Sequence, residues 1–515
     1  MFRSIFTVSG FTLMSRLLGF ARDVLIAKYL GAGATADVWV AAFRLPNLFR
    51  RIFGEGAFNA AFVPMYSRRL EENGEKAADD LARRTFYLML TILVVLFVAA
   101  FIFMDPLVRA TSWGFASDGR LEPAVTASRI TVGYMIFICL VAAVSGVLNS
   151  RRVFAAPAFA YVVLNIVFLV ALLLIIPRTG EPLTVLCWSV LVAGALQLGV
   201  VVVAGLRRGI DLRPKVPRID DDMKKLGSLM APGLVSAGVQ QLNLLVGQAV
   251  ASLQLGGVAL IFYADRINQL PLGLLGIALG TVLLPEVTRK LRGGDETGAQ
   301  QTLNQGMEIA MLFVLPAVAA MLVIPVPIMH ALFVDGEFTP EAAREAGKVL
   351  AAFALGTPTY VLAKVLQPAY FAREDTRTPM RFTIVSAVVN MALAYPFFLW
   401  LGPTGCALAT SVAGWANILL LWFGLRKAGF LKVTAHFAGR VMRMLVASAL
   451  MAGVVWWLAE RCQGWLLADH GFVLRVAVLS ALVVLGVLIY FVAVILLRVY
   501  TISELKARMR RQPRT

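Results

Sequence analysis

Residues 382–425 read FTIVSAVVNMALAYPFFLWLGPTGCALATSVAGWANILLLWFGL and contain no Asp, Glu, Lys or Arg. That run is about twice the ~20 apolar residues a helix needs to cross the hydrocarbon core of a bilayer. Leu401-Gly402-Pro403-Thr404-Gly405 near its middle is a turn signal. The stretch therefore predicts two membrane-spanning helices joined by a tight connection. Working outward, uncharged runs of similar weight cover Thr85–Met104, Ile130–Ser150, Val153–Pro177, Leu183–Leu206, Ile309–Val334 and Val476–Leu497. The segment Leu226–Ala264 breaks at Gly256-Gly257 in the same manner. With the charge-interrupted segments included, about fourteen spans are expected. They are 5–30, 37–66, 85–109, 128–150, 153–177, 183–206, 225–254, 258–288, 305–334, 347–371, 380–401, 404–425, 438–460 and 473–498.

Composition agrees: 59% of the 515 residues are hydrophobic and 15% charged, and mean hydropathy is +0.79. A net charge of +18 raises nucleic-acid binding, but the basic residues sit mainly in short loops between apolar runs. That distribution is the positive-inside pattern of a membrane protein. The loop after span 2 carries Arg68, Arg69, Lys76, Arg83 and Arg84. The loop after span 6 carries Arg207, Arg208, Arg213, Lys215, Arg218, Lys224 and Lys225. The loops after spans 7 and 11 carry no Lys or Arg. The even loops and both termini are therefore expected on the cytoplasmic side, with the basic tail Lys506–Arg514 near anionic lipid. The first segment is long, charged and without a small-residue cleavage site, so it reads as a span, not as a cleavable signal. Cys139, Cys187, Cys406 and Cys462 form no CxxC pair and read as free thiols. His330, His436 and His470 share no ligand spacing. No metal site, cofactor site, hydrolase elbow or P-loop is expected.

The first twelve spans contain a repeat. Ala61-Phe62-Val63-Pro64-Met65-Tyr66-Ser67-Arg68-Arg69 aligns with Val282-Leu283-Leu284-Pro285-Glu286-Val287-Thr288-Arg289-Lys290. Arg151 and Pro157 align with Arg373 and Pro379, and Val192-Ala193-Gly194 with Val412-Ala413-Gly414, at nearly the same offset. Six spans per half is an even number, so the halves share one orientation, a parallel repeat about an axis along the membrane normal. The expected fold is an all-α polytopic membrane protein of about fourteen transmembrane helices. Its parts are an N-terminal lobe over 1–210, a C-terminal lobe over 211–430, and spans 13 and 14 with a basic cytoplasmic tail over 431–515.

Ionisable residues inside spans are costly and mark functional sites. Span 1 carries Arg16, Arg22 and Asp23. Span 2 carries Arg44, Arg50, Arg51 and Glu55, with Asp37 at its outer edge. Span 8 carries Asp265 and Arg266, and span 10 carries Lys364. Arg16 and Asp23 share a helix face, and Arg51–Glu55 is an i,i+4 pair. Gly19 could bend span 1, and Pro46, Gly54 and Gly56 loosen span 2. Some of these charges can serve as interfacial anchors or satisfied ion pairs. The balance is nevertheless cationic, and arginine's planar fork suits phosphate. Arg16, Arg22, Arg266 and Arg50 are the candidate binding residues for an anionic, phosphate-bearing ligand. Asp23 and Asp265 are read as neutralising and orienting their arginine neighbours, and Asp37, Arg44, Arg51, Glu55 and Lys364 as supporting or gating charges.

Ser15-Arg16-Leu17-Leu18-Gly19-Phe20-Ala21-Arg22-Asp23 resembles the opening of the MurJ (MviN-like) lipid II flippases. So do Phe43-Arg44-Leu45-Pro46-Asn47-Leu48-Phe49-Arg50-Arg51-Ile52-Phe53, Glu55-Gly56-Ala57-Phe58, Tyr263-Ala264-Asp265-Arg266 and Phe371-Ala372-Arg373-Glu374-Asp375-Thr376-Arg377-Thr378-Pro379. The resemblance runs from the first span through the last. It implies the multidrug/oligosaccharidyl-lipid/polysaccharide exporter fold, with two six-helix lobes, a central cavity and alternating access. It implies a bacterial inner-membrane protein, not an enzyme, that translocates lipid II, a polyprenyl diphosphate carrying the peptidoglycan building block. Residues matching Arg16, Arg22 and Arg266 are implied to bind the diphosphate, and Arg50 matches a further functional arginine. Spans 13 and 14 match a pair that forms a groove for the lipid tail. Implied partners are lipid II and the phospholipid bilayer, with other cell-wall synthesis proteins as candidates and no nucleic acid. Two departures stand out. Gln269 replaces an acid frequent three residues after the span-8 arginine. Asn243, Asn390 and Thr410 are candidates for a weak cation site, without an Asp or Glu in the membrane part of spans 7, 11 or 12. The membrane potential is then the expected drive. The alternatives are a flippase for another polyprenyl-diphosphate glycan, equally suited to a cationic cavity, and a drug/cation antiporter of the same superfamily, which would want intramembrane carboxylates.

Overall fold

The computed structural model describes residues 2–51, 57–211, 213, 215–216, 219–432, 435–467 and 471–499. Among the described residues the regular elements are helical, with one isolated β-bridge between Asp335 and Phe338. By their contacts the residues group into two units, Met1–Ala259 and Leu260–Thr515.

The first unit contains α1 (Phe2–Leu30), α2 (Ala34–Phe49), α3 (Ala57–Ile102), α4 (Met104–Thr111), α5 (Leu121–Thr131), α6 (Tyr134–Ser150), α7 (Ala155–Val170), α8 (Ile176–Thr179), α9 (Pro182–Arg207) and α10 (Asp221–Ala251). The second contains most of α11 (Gly257–Arg292), then α12 (Glu296–Val323), α13 (Pro325–Phe333), α14 (Pro340–Phe371), α15 (Arg377–Leu401), α16 (Pro403–Lys427), α17 (Ala435–Arg461), α18 (Gln463–Leu466) and α19 (Phe472–Leu496). The sequence repeat opens its second half at 211, so α10 belongs to the first unit by contact and to the second half by repeat.

Each of the fourteen expected spans carries a helix or a helix pair. The differences have local causes. Span 2 is covered by α2, ending at Phe49 after Pro46, and by the start of α3 at Ala57, with residues 52–56 outside the described residues. Gly74, at φ 79°, then kinks α3 inside its charged stretch, ahead of the apolar part that begins at Thr85. Span 9 splits at Ile324, since the residue before a proline is disfavoured in the α region and Pro325 suits a helix start. Span 1 is a single helix, α1, from Phe2 to Leu30.

Among the described residues ten helices are long and apolar enough to cross a membrane. Their outward faces invert the soluble pattern. On α19, Val483, Val484, Val487 and Leu488 are exposed, while Leu479, Leu482 and Gly486 are buried against the protein. Such faces are stable only in hydrocarbon. The helices outside that set include α1, α2 and α11, which carry most of the candidate charges.

Within the first unit α1 packs on α7, α3 on α6, and α9 on both α6 and α7. Within the second, α16 packs on α14 and α15, α12 on α14 and α17, and α17 on α19. The aligned glycines are contact points in each. A Cβ on Gly194 would lie 2.8 Å from Tyr134, and one on Gly414 would lie 2.4 Å from the Thr359 hydroxyl. Small residues of this kind let membrane helices approach closely.

Candidate functional site

Two faces meet where α1 packs on α7. Ser15, Gly19 and Arg22 follow one another at i, i+4 and i+7 on α1; Tyr161, Asn165 and Phe168 do so at i, i+4 and i+7 on α7. Gly19 leaves bare backbone opposite Asn165, whose Oδ1 would lie 3.5 Å from an added Cβ. Arg22, only 7% exposed, donates from Nε (3.0 Å) and Nη2 (2.7 Å) to Asp23 Oδ1 and from Nη1 to Asn165 Oδ1 at 3.0 Å. Its guanidinium lies 5.4 Å from the Phe168 ring centroid. Phe168 in turn packs edge-on against Trp39 and Phe43. These bonds use three of the five N–H hydrogens of arginine. Asp23 is thus the ion-pair partner of Arg22. Arg16, seven residues before Asp23 on α1, is exposed.

A second charged cluster lies at the α1–α2 end of the unit. Asp37 is fully buried and accepts from the N–H groups of Gly256 (2.7 Å) and Ala259 (2.8 Å), the latter in the first turn of α11. A carboxylate at a helix N-terminus is stabilised by those amides and by the helix dipole. Arg120, also buried, forms an ion pair with Asp37, binds Asp118, and donates to the Ser252 carbonyl at 2.6 Å. It holds the Asp118 carboxyl below the usual range. Gly256, at φ 77°, makes this approach possible, because a Cβ there would sit 2.2 Å from the Ala32 carbonyl oxygen. Asp37 is thus a buried partner of Arg120, not a solvated edge charge.

The remaining candidates are less enclosed. Arg44 reaches the Leu244 carbonyl at 3.4 Å, and Arg50 donates to Asn47 at 3.1 Å. Arg51 and Lys364 are exposed. Glu55 lies outside the described residues. In the second unit the Arg266 guanidinium lies 4.8 Å from the Phe262 ring centroid, and Asp265 accepts from Gln269. Gln269 is thus a hydrogen-bond partner of Asp265. Thr410 donates to Asn390 at 3.3 Å on neighbouring helices; Asn243 is on α10 of the first unit. The four cysteines are free, three of them buried.

Sequence reasoning misses several buried polar groups. Asn165 and Arg120 carry no motif signal, one being uncharged in an apolar run and the other being a loop arginine. Glu308 and Arg440 form a buried pair between α12 and α17 at 3.0 Å. Buried Arg475 on α19 donates to the Val334 carbonyl at 2.5 Å. A stricter count of charges inside spans 9, 13 and 14 finds the last three. At the charged end of α3, Arg69, Arg83 and Arg84 pair with Asp222, Asp211 and Asp220, and Lys215 with Asp80. The positive-inside residues of this unit are therefore partly neutralised.

Comparison with known proteins completes the picture. The family model described as lipid II flippase MurJ matches residues 26–479. A probable lipid II flippase MurJ of Rhizobium tropici is 39% identical, over 99% of this chain and 97% of its own length. The lipid II flippase MurJ of Burkholderia cenocepacia is 34% identical, over 95% and 96%. Among solved structures, a lipid II flippase MurJ in an inward closed conformation gives a TM-score of 0.75 at 24% identity, covering 94% of this chain and 97% of its own. An inward-facing MATE family multidrug transporter of the MOP superfamily gives 0.70 at 17% identity, covering 81% and 95%. The structural likenesses speak to the fold, and the sequence matches extend along nearly the whole chain. This chain belongs to the MurJ family of lipid II flippases.

Proposed function

We propose that this protein carries lipid II from the cytoplasmic to the periplasmic leaflet of the inner membrane by alternating access, and that Arg22, with Arg16 and Arg266, receives the diphosphate. Family membership supports the substrate. The observation that carries the arginine role is the mount of Arg22. A buried cation in a spanning helix is held by Asp23, Asn165 and Phe168, with N–H groups left over from those bonds. Such a group is charge-compensated while waiting and can still donate to a phosphate oxygen.

In this reading the termini and the charged end of α3 lie on the cytoplasmic side, and the apolar faces of α17 and α19 accompany the polyprenyl tail. Arg50, Arg44, Arg51, Glu55 and Lys364 support or gate the path, and Asp37 with Arg120 secures the opposite end. The uncharged trio Asn243, Asn390 and Thr410 suits at most a weak cation site. The membrane potential is then the drive, worth about 2.3 kcal/mol per elementary charge per 100 mV. Other cell-wall synthesis proteins are candidate partners.

The test is lipid II accessibility to an impermeant enzyme outside cells depleted of their own flippase. The protein restores accessibility and Arg22→Ala abolishes it at equal membrane abundance. Full activity of Arg22→Ala would overturn the arginine role. No restoration by the unsubstituted protein would overturn the substrate and point to another polyprenyl-diphosphate glycan.

A further inference from the structure

We propose that Asn165 is a positioning residue for substrate binding: it fixes the Arg22 guanidinium in the pose that meets the diphosphate. This rests on the reading of Arg22 given above. Asn165 is 4% exposed in the middle of an otherwise apolar helix, and both ends of its carboxamide are used. Nδ2 donates to the Ser15 carbonyl at 2.9 Å and lies 3.2 Å from the Ser15 hydroxyl and 3.4 Å from the Tyr161 carbonyl. Carbonyl oxygens only accept, so the amide orientation is settled and Oδ1 must face Arg22.

The contact matters because arginine is long. Its side chain loses considerable rotamer freedom when fixed, and a pose secured before the ligand arrives removes that cost from the binding step. Asp23 alone does not secure it, since the two bonds between Arg22 and Asp23 both go to one oxygen, Oδ1. Rotation about that oxygen is stopped from two sides: Asn165 takes Nη1, and the Phe168 ring lies against the guanidinium. Asn165 and Phe168 are i and i+3 on α7, so one helix face supplies both restraints.

The test is a double-mutant cycle on lipid II affinity, measured with the purified full-length protein in lipid nanodiscs. Asn165→Leu keeps the volume and removes both hydrogen-bonding ends. It is expected to weaken binding roughly tenfold, the low end for a bond to a charged group. In an Arg22→Ala background the same substitution is expected to change affinity less than twofold. Equal weakening in both backgrounds would mean general disruption of the α1–α7 seam and overturn the proposal, as would unchanged affinity of Asn165→Leu alone. If Arg22→Ala itself binds normally, the diphosphate reading of Arg22 falls, a different outcome. Should Asn165→Leu not fold, Asn165→Ser enters the same cycle with the same expectations.

Discussion

Replacing Glu308 by leucine removes the carboxylate that stands 3.0 Å from Arg440 between α12 and α17. The two side chains are 6% and 7% exposed, so solvent cannot take the place of the lost partner. At that separation and an effective dielectric of about 20, the attraction is about 5.5 kcal/mol. Part of it offsets the desolvation of both ions, and measured costs of breaking such buried pairs are about 3–5 kcal/mol. That is the expected loss for Glu308→Leu, a change of more than a hundredfold in the folding equilibrium. The assay is SDS titration of the purified protein in micelles, following unfolding against the unsubstituted chain. The cycle includes Arg440→Met and the double variant. An apolar pair of similar volume often matches a buried ion pair, so the double variant should recover to within about 1 kcal/mol. A Glu308→Leu protein within about 0.5 kcal/mol of the parent, the spread of an ordinary surface substitution, would refute the argument. So would a double variant no better than the single.

The close approaches and the charged linker give two further expectations. Gly114→Ala would place a Cβ 2.0 Å from the Ser252 carbonyl oxygen and break the 3.0 Å bond from Gly114 N–H to the Ser252 hydroxyl. A destabilisation of about 1–3 kcal/mol is expected in the same titration, and an unchanged midpoint would contradict it. In the linker before α10, the Arg213 N–H together with Arg83 holds Asp211 below the usual carboxylate range. For Asp220 burial acts upward, but the Met223 N–H and Arg84 outweigh it and its value is also lowered. A depressed folded value stabilises the docked linker above the ordinary carboxylate pKa of about 4, and that stability is lost as pH falls below it. A spin label on Ile219→Cys should therefore gain mobility between about pH 5 and 3, and also in about 1 M salt, where exposed pairs are screened. Constant mobility over both ranges would count against docking by these pairs.

The order and extent of the helices are legible because hydrocarbon imposes a length and a polarity that a single sequence displays. The turn at Gly402 is read from proline and glycine alone. Interruptions written in backbone geometry are harder. Gly74 looks like any glycine in a charged stretch until its φ of 79° is seen. The candidate site divides the same way. Arg22, Asp23 and Asp37 stand out because charge inside a span is costly. Asn165 carries no charge, and its importance comes from a face-to-face match of α1 with α7 across 143 residues of sequence. Arg120 is invisible for the converse reason, since a loop arginine is ordinary until it proves to be buried beside Asp37.

The pairing of these arginines separates structural from binding roles. Arg440 is matched to Glu308 and Arg120 to Asp37, each with the carboxylate supplied by a different helix. Such pairs join elements, and a ligand that displaced the carboxylate would have to unfasten them. Arg22 is paired with its own neighbour in sequence, Asp23, so its compensation travels with α1. The joining is done by Asn165, an uncharged group that a phosphate need not displace. A carrier must also let go. A bare buried guanidinium would hold a diphosphate too tightly to release it, whereas one already compensated by Asp23 gains only the added strength of its remaining N–H bonds. On this reasoning Asp23→Asn should tighten lipid II binding while slowing transport. Weaker binding in that variant would show that Asp23 serves the fold of Arg22 and not the release of its ligand.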